Sequence, residues 1–72
     1  MTFPERIIQI KRDKKLLQKD IATAIGITIR NYQRYEKGEA QPTLPVLLRL
    51  ADYFEVSIDY LVGRTDNPKI NK

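Results

Sequence analysis

Each of the three glycines in this chain stands where a helix-period segment stops, and a threonine or serine stands near the start of most of them. Glycine just past the end and Ser or Thr just before the beginning are the punctuation of short helices. The marks fall so close together that little room is left for strands. Thr2-Phe3-Pro4-Glu5 reads as a start: Thr2 can cap, Pro4 suits the first turn and Glu5 takes the capping-box position. Phe3, Ile7 and Ile10 come next at helical spacing, so the first helix is expected over about 3–14. Leu16 and Leu17 form an apolar hinge, Gln18 to Ile25 a second helix ended by Gly26, and Ile27 a buried turn residue. Thr28 caps a third helix from Ile29 to Lys37, which Gly38 closes. After a loop over 38–42, Thr43 caps a fourth helix with Pro45 in its first turn. Its expected buried stripe is Leu44, Leu47, Leu48, Ala51 and Phe54. Ser57 caps a fifth helix containing Ile58, Leu61 and Val62, with Gly63 as its stop, and the polar tail 64–72 is expected to fray. The fold class is therefore all-α, with five short helices.

With 72 residues the chain is one small domain, burying only about 60% of its unfolded surface. It has no cysteine, so no disulfide, thiolate nucleophile or iron–sulfur cluster, and the core rests on packing alone. It also has no histidine, which removes the commonest general base and a Cys/His zinc module. There is no paired-carboxylate or Gly-rich phosphate motif. An enzyme is not expected, nor is a cofactor or a metal. Asp52, Glu55 and Asp59 lie on or between the last two helices, where acids usually face solvent or cap. No run approaches 18 apolar residues and the N-terminus lacks a signal-like apolar region, so a cytoplasmic protein is expected.

Charge is distributed unevenly. Residues 6–37 carry +6, residues 38–63 carry −3 and the tail 64–72 carries +2, within a net charge of +4. A basic half on a single domain suits a polyanion partner. A solvated surface that happens to be basic is an equal account of the charge taken alone.

The informative unit is the second helix, the turn Gly26-Ile27-Thr28 and the third helix, which together read as a helix-turn-helix. At about 100° per residue, Tyr32 and Tyr35 can face the first two helices. Arg30, Gln33, Arg34 and Lys37 share another face, with Ile29 at its N-terminal edge. Arg can pair with guanine, Gln with adenine, and an aliphatic group can meet the thymine methyl. A solvated amphipathic helix would also be polar outward. The Gly-containing turn, the basic half and the choice of Arg and Gln favour the DNA-reading account.

In order and spacing the chain resembles the bacterial and phage Cro/CI-type helix-turn-helix repressors, the XRE family. The likeness is carried by Phe3, Glu5-Arg6-Ile7, Leu16, Gln18, Asp20-Ile21-Ala22, Ile25-Gly26-Ile27-Thr28, Tyr35-Glu36-Lys37-Gly38 and Pro42-Thr43-Leu44. It continues through Leu47-Leu48-Arg49-Leu50-Ala51 and Val56-Ser57-Ile58-Asp59-Tyr60-Leu61-Val62-Gly63. The resemblance implies a compact five-helix lambda-repressor-like DNA-binding domain over 1–63, with 64–72 as a polar tail or the start of a linker. It implies a sequence-specific double-stranded DNA-binding transcriptional regulator, a repressor, working as a homodimer on an inverted repeat. The alternative is a protein-interaction module, such as an antitoxin or anti-regulator, on the same fold. The third helix would lie in the major groove, with base reading at Ile29, Arg30 and Arg34 and Gln33 nearby. Gln18, Thr28, Asn31, Lys37 and the backbone at Gly38 fall at phosphate-positioning places, Gln18 either on a phosphate or beside the recognition helix. Lys11 and Glu36 match a structural charged pair. Val56, Ile58, Tyr60 and Leu61 lie where related repressors build a two-fold interface, although burial in the monomer accounts equally for Ile58 and Leu61. Tyr32, Tyr35, Tyr53 and Tyr60 are expected to fill the core or an interface. Two departures stand out: Leu17 where the family often has a capping Ser or Thr, and Lys15 where it often has Gly.

Overall fold

The computed structural model describes residues 1–69 and contains α1 (Phe3–Asp13), α2 (Gln18–Ile25), α3 (Ile29–Glu36), α4 (Leu44–Phe54) and α5 (Ile58–Leu61). No strand occurs among the described residues. The expected fold class and all five helices are present, with small shifts at the ends: Lys14, Lys37 and Val62 are C-cap residues just outside their helices. The end of the expected tail, residues 70–72, lies outside the described residues.

Local chemistry explains most boundaries. Thr2 and Glu5 form the reciprocal capping box, with Glu5 N 3.4 Å from Thr2 Oγ1 and Thr2 N 3.0 Å from Glu5 Oε1. The Thr2 backbone N–H, with its hydroxyl as the smaller contributor, holds the Glu5 carboxyl below the usual carboxylate range. The cap therefore acts in full above the unfolded carboxylate pKa and is lost as pH falls through the lower folded value. Ser57 Oγ accepts from Tyr60 N at 3.0 Å and starts α5. Thr43 occupies the N-cap of α4 without a side-chain hydrogen bond, so its expected cap is positional only. Leu17 likewise gives α2 no side-chain cap.

The core is Ile7 and Ile10 of α1, Ile21, Ala22 and Ile25 of α2, Tyr32 and Tyr35 of α3, Leu50, Ala51 and Phe54 of α4, and Val56 and Leu61. α2 packs on α3 and α4, while α1 bridges α3 and α5. The stripe of α4 is rotated from the expected one. Leu50 is fully buried and Leu47 half-buried, whereas Leu44 and Leu48 are exposed at 61% and 45%. Leucines occur at 44, 47, 48 and 50, so two registers satisfy the same helical period, and tertiary packing selects the one with Leu50 inward. Tyr53 is also 37% exposed, its ring tilted by 50° against that of Phe54 with centroids 5.6 Å apart.

The described part of the tail does not fray as expected. Ser57 N donates to Pro68 O at 3.0 Å, and Arg6 of α1 reaches Thr65 O at 3.1 Å and Asp66 Oδ1 at 3.2 Å. Arg6 is only 3% exposed; its guanidinium lies 3.8 Å from the centre of the Tyr60 ring and donates to Gln9 at 3.2 Å. Thr65 and Asp66 thus close over a buried arginine.

Lys15 has φ 56° and Glu55 φ 59°. Left-handed backbone at a residue with a Cβ costs roughly 1–2 kcal/mol. Part of this returns as chain entropy when glycine is introduced, so Lys15→Gly is expected to stabilise by about 0.5–1 kcal/mol. The check is a thermal melt rising by several degrees, at about 4–8 °C per kcal/mol for a domain of this size. An unchanged or lower midpoint would show that the strain at 15 is relieved elsewhere.

Candidate nucleic-acid interface

α2 and α3 are joined by three residues. Gly26 takes φ 78°, which a β-carbon resists, and its N–H lies 3.3 Å from Thr23 O. Ile27, half-buried, donates its N–H to Ala22 O at 3.0 Å and pins the turn to α2. Thr28 Oγ1 accepts from Asn31 N at 3.1 Å, which opens α3. Arg49 of α4 donates to Ile25 O at 3.3 Å, so a cation meets the C-terminal end of the α2 dipole. Arg49 was not among the expected site residues. Its sequence signals are its place in the matching stretch Leu47-Leu48-Arg49-Leu50-Ala51 and its being the one basic side chain in the acidic stretch 38–63.

Beyond the turn, Tyr32 and Tyr35 anchor α3. Tyr32 is fully buried, and Tyr35 meets Phe3 edge-on at 6.5 Å. Burial, reinforced by the Glu36 carboxylate, holds the Tyr32 phenol well above the usual tyrosine range, so it stays neutral at all physiological pH. The opposite face is presented to solvent: Ile29 (45% exposed), Arg30, Asn31, Arg34, Lys37 and Gly38 are exposed, as is Thr28. Among the described residues neither Arg30, Arg34 nor Lys37 has an ion-pair partner. Thr28 uses an oxygen lone pair for its cap and keeps its hydroxyl proton for an outside acceptor. The first-turn N–H groups of α3 add the positive end of the helix dipole there.

Gln18 stands beside the recognition helix, one of the two places the resemblance allowed it, and Gln33 is turned toward it. Both are half-buried. Gln33 Nε2 donates to Gln18 Oε1 at 3.0 Å, and Gln18 Nε2 donates to Glu36 Oε1 at 3.1 Å. Lys11 Nζ lies 3.0 Å from each Glu36 oxygen, which is the charged pair the resemblance implied. Four side chains from α1, α2 and α3 therefore form one polar chain. Sequence reasoning anticipated the Lys11–Glu36 pair and a place for Gln18 beside α3, and missed the bonds from Gln18 to Gln33 and Glu36, since amide partners depend on how α2 and α3 meet. Among the described residues no group of three or more acidic side chains is arranged to hold a metal ion, and no helix is long and apolar enough to cross a membrane.

Known proteins share this fold. A helix-turn-helix family model matches residues 7–61. The chain is 39% identical over 64 residues to the cryptic phage CTXphi transcriptional repressor RstR of Vibrio cholerae serotype O1, an alignment covering 89% of this chain and 57% of that protein. It is 38% identical over 66 residues to the uncharacterized HTH-type transcriptional regulator YobD of Bacillus subtilis, covering 92% of this chain and 59% of that one. The chain thus spans little more than half the length of these relatives. Among solved structures, a transcriptional regulator from Listeria innocua superposes with TM-score 0.82 at 37% identity, covering 86% of this chain and 58% of that chain. The P22 c2 repressor in complex with a synthetic operator superposes with TM-score 0.84 at 25% identity, covering 90% and 98%.

Proposed function

Because the chain belongs to the Cro/CI-type (XRE) helix-turn-helix family, we propose that it is a sequence-specific double-stranded DNA-binding transcriptional regulator, a repressor acting in the cytoplasm. The observation that carries this reading is the outward face of α3. Arg30 and Arg34, one turn apart and without ion-pair partners among the described residues, project beside the exposed Ile29 from a helix held rigidly by Tyr32 and Tyr35. That face supplies the base-reading residues. Thr28, Asn31, Lys37, Gly38 and Gln18 meet phosphates, which set register and affinity rather than sequence choice. A repressor–operator complex with the same fold supports the docking of α3 in the major groove. The DNA-binding unit is residues 1–63, with 64–72 as its polar extension.

Homodimer formation on an inverted repeat belongs to the same proposal. Val56 and Leu61 are buried in the monomer, and Tyr60 lies under Arg6. Ile58 and the exposed Leu48 share one open groove, so these two, with Leu44, form the apolar face left for a second copy. Leu48→Glu is expected to leave folding intact and weaken dimerisation by about 1.5–3 kcal/mol for the lost leucine burial. Sedimentation of the variant and parent at matched concentrations checks this; equal dimer fractions would remove Leu48 from the interface.

The test of the whole reading is selection of bound sequences from a randomised duplex pool at about 150 mM salt, where non-specific attraction is already weak. An enriched inverted repeat is the expected result, with half-sites about one helical turn apart. No enrichment would overturn it. Within that assay Lys37→Ala is expected to weaken all duplexes nearly equally and to reduce the slope of log affinity against log salt by roughly one. A changed motif instead would place Lys37 at a base.

A further inference from the structure

We propose that Gln33 acts on DNA through Gln18: the Glu36 carboxylate fixes the direction of both amides, and Gln33 is a positioning residue rather than a base reader. This role rests on the DNA-binding function proposed above.

Hydrogen-bond inventory decides the direction. A carboxylate has acceptors only, whereas a glutamine amide has an NH2 end and a carbonyl end. Lys11 holds Glu36 at 3.0 Å from both oxygens. The end of Gln18 that faces Glu36, 3.1 Å away, must therefore be the NH2. That turns Gln18 Oε1 toward Gln33, and the end of Gln33 that meets it at 3.0 Å must again be the NH2. Neither amide can flip without setting two carbonyls, or a carbonyl and a carboxylate, against each other. The chain of amides has one permitted polarity, and it is set from α1.

Two consequences separate Gln33 from its neighbours on α3. Ile29, Arg30 and Arg34 are exposed, while Gln33 is half-buried with its amide tied back to α2. Pairing with adenine needs both ends of a glutamine amide aligned on the base edge. Gln18, by contrast, spends one N–H on Glu36 and retains the other at the first residue of α2. On a face that meets DNA, the acceptor for that remaining N–H is a phosphate oxygen. Gln33 holds the Gln18 carbonyl so that this N–H keeps one direction.

The experiment measures parent and variants on the selected duplex and on its single-base-pair variants. Gln33→Ala removes the donor without adding charge, and Gln33→Glu replaces it with an acceptor. Each is expected to weaken every duplex by roughly fivefold to tenfold, the scale of one hydrogen bond, leaving the ratios between duplexes unchanged. The decisive variant combines Gln33→Glu with Glu36→Gln. There the polarity reverses: position 36 donates to Gln18 Oε1, Gln18 Nε2 donates to position 33, and the position-36 carbonyl still accepts from Lys11. Net charge equals the parent's and both amides are again held, but Gln18 Nε2 now lies on the side of position 33 and its free N–H loses its former direction, so affinity is expected to stay roughly fivefold to tenfold below the parent's on every duplex. A preference altered at one base pair would make Gln33 a base reader and overturn the proposal. So would parent-like binding by Gln33→Ala or by the exchanged pair. In the DNA-free protein, the Gln18 side-chain amide resonances should shift in Gln33→Ala, and unshifted signals would also overturn it. A parent that enriches no sequence would instead sink the DNA-binding reading, and this role with it.

Discussion

A chain carrying Arg30→Ala and Arg34→Ala together is expected to lose about 2–5 kcal/mol of affinity for its selected duplex, while its affinity for unrelated DNA falls far less. Each arginine that pairs with a guanine edge contributes about 1–3 kcal/mol of discrimination. The two sit four residues apart on one helix face, so their contributions share surroundings and need not add in full. Both side chains are exposed, and neither has an ion-pair partner among the described residues, so no internal contact is removed. The thermal midpoint should stay within the small range of surface substitutions, about 0.5 kcal/mol. Binding isotherms on selected and scrambled duplexes at one salt concentration give the answer. If both duplexes weaken by the same factor, these arginines bind phosphates and the specificity lies elsewhere on α3.

The second large effect concerns stability. Arg6→Ala is expected to destabilise the domain by about 2–4 kcal/mol. The loss combines the packing of a buried aliphatic stem, a cation held against the Tyr60 ring and hydrogen bonds to Gln9, Thr65 and Asp66. Arg6 Nε is buried without a partner, so the site is already imperfectly satisfied. Arg6→Met keeps the stem, removes the charge and that orphan donor, and should recover about half of the loss. Chemical denaturation of the three proteins tests the ordering. Amide exchange should show Ser57 N–H, which bonds to Pro68, opening in Arg6→Ala well before the core does. Equal stability of Arg6→Ala and parent would mean that the closure over Arg6 holds nothing in place.

Much of this architecture is written locally. Thr2, Glu5, Pro4, Gly26, Thr28 and Ser57 mark helix ends by chemistry that needs no partner from afar, and the helices form where those marks predict. The exposed face of α3 comes from the same local logic, because two tyrosines three apart turn Arg30 and Arg34 outward. The features that were not legible depend on groups distant in sequence. Arg6 reads as a surface cation until Tyr60 and residues 65–66 arrive over it. The leucines of α4 satisfy two stripes equally, and only packing against the other helices decides between them. Glu55 carries no sequence mark for its positive φ. Gln33 looks like a base reader on a helical wheel, and only its 3.0 Å bond to Gln18 shows that its amide is already engaged.

The closure over Arg6 also has a mechanical side. α5 is four residues long, one turn of helix. Were the chain to leave the domain directly from Gly63, a pull on the residues beyond it would peel that single turn. Residues 65 and 66 are fastened to Arg6, however, and Arg6 belongs to the eleven-residue α1. Tension applied beyond residue 69 meets the Pro68–Ser57 bond at the cap of α5 first, and behind it the guanidinium passes the load into the longer helix before the turn of α5 is peeled. Arg6 acts as a strain relief, as a cable is clamped to its housing ahead of the soldered joint.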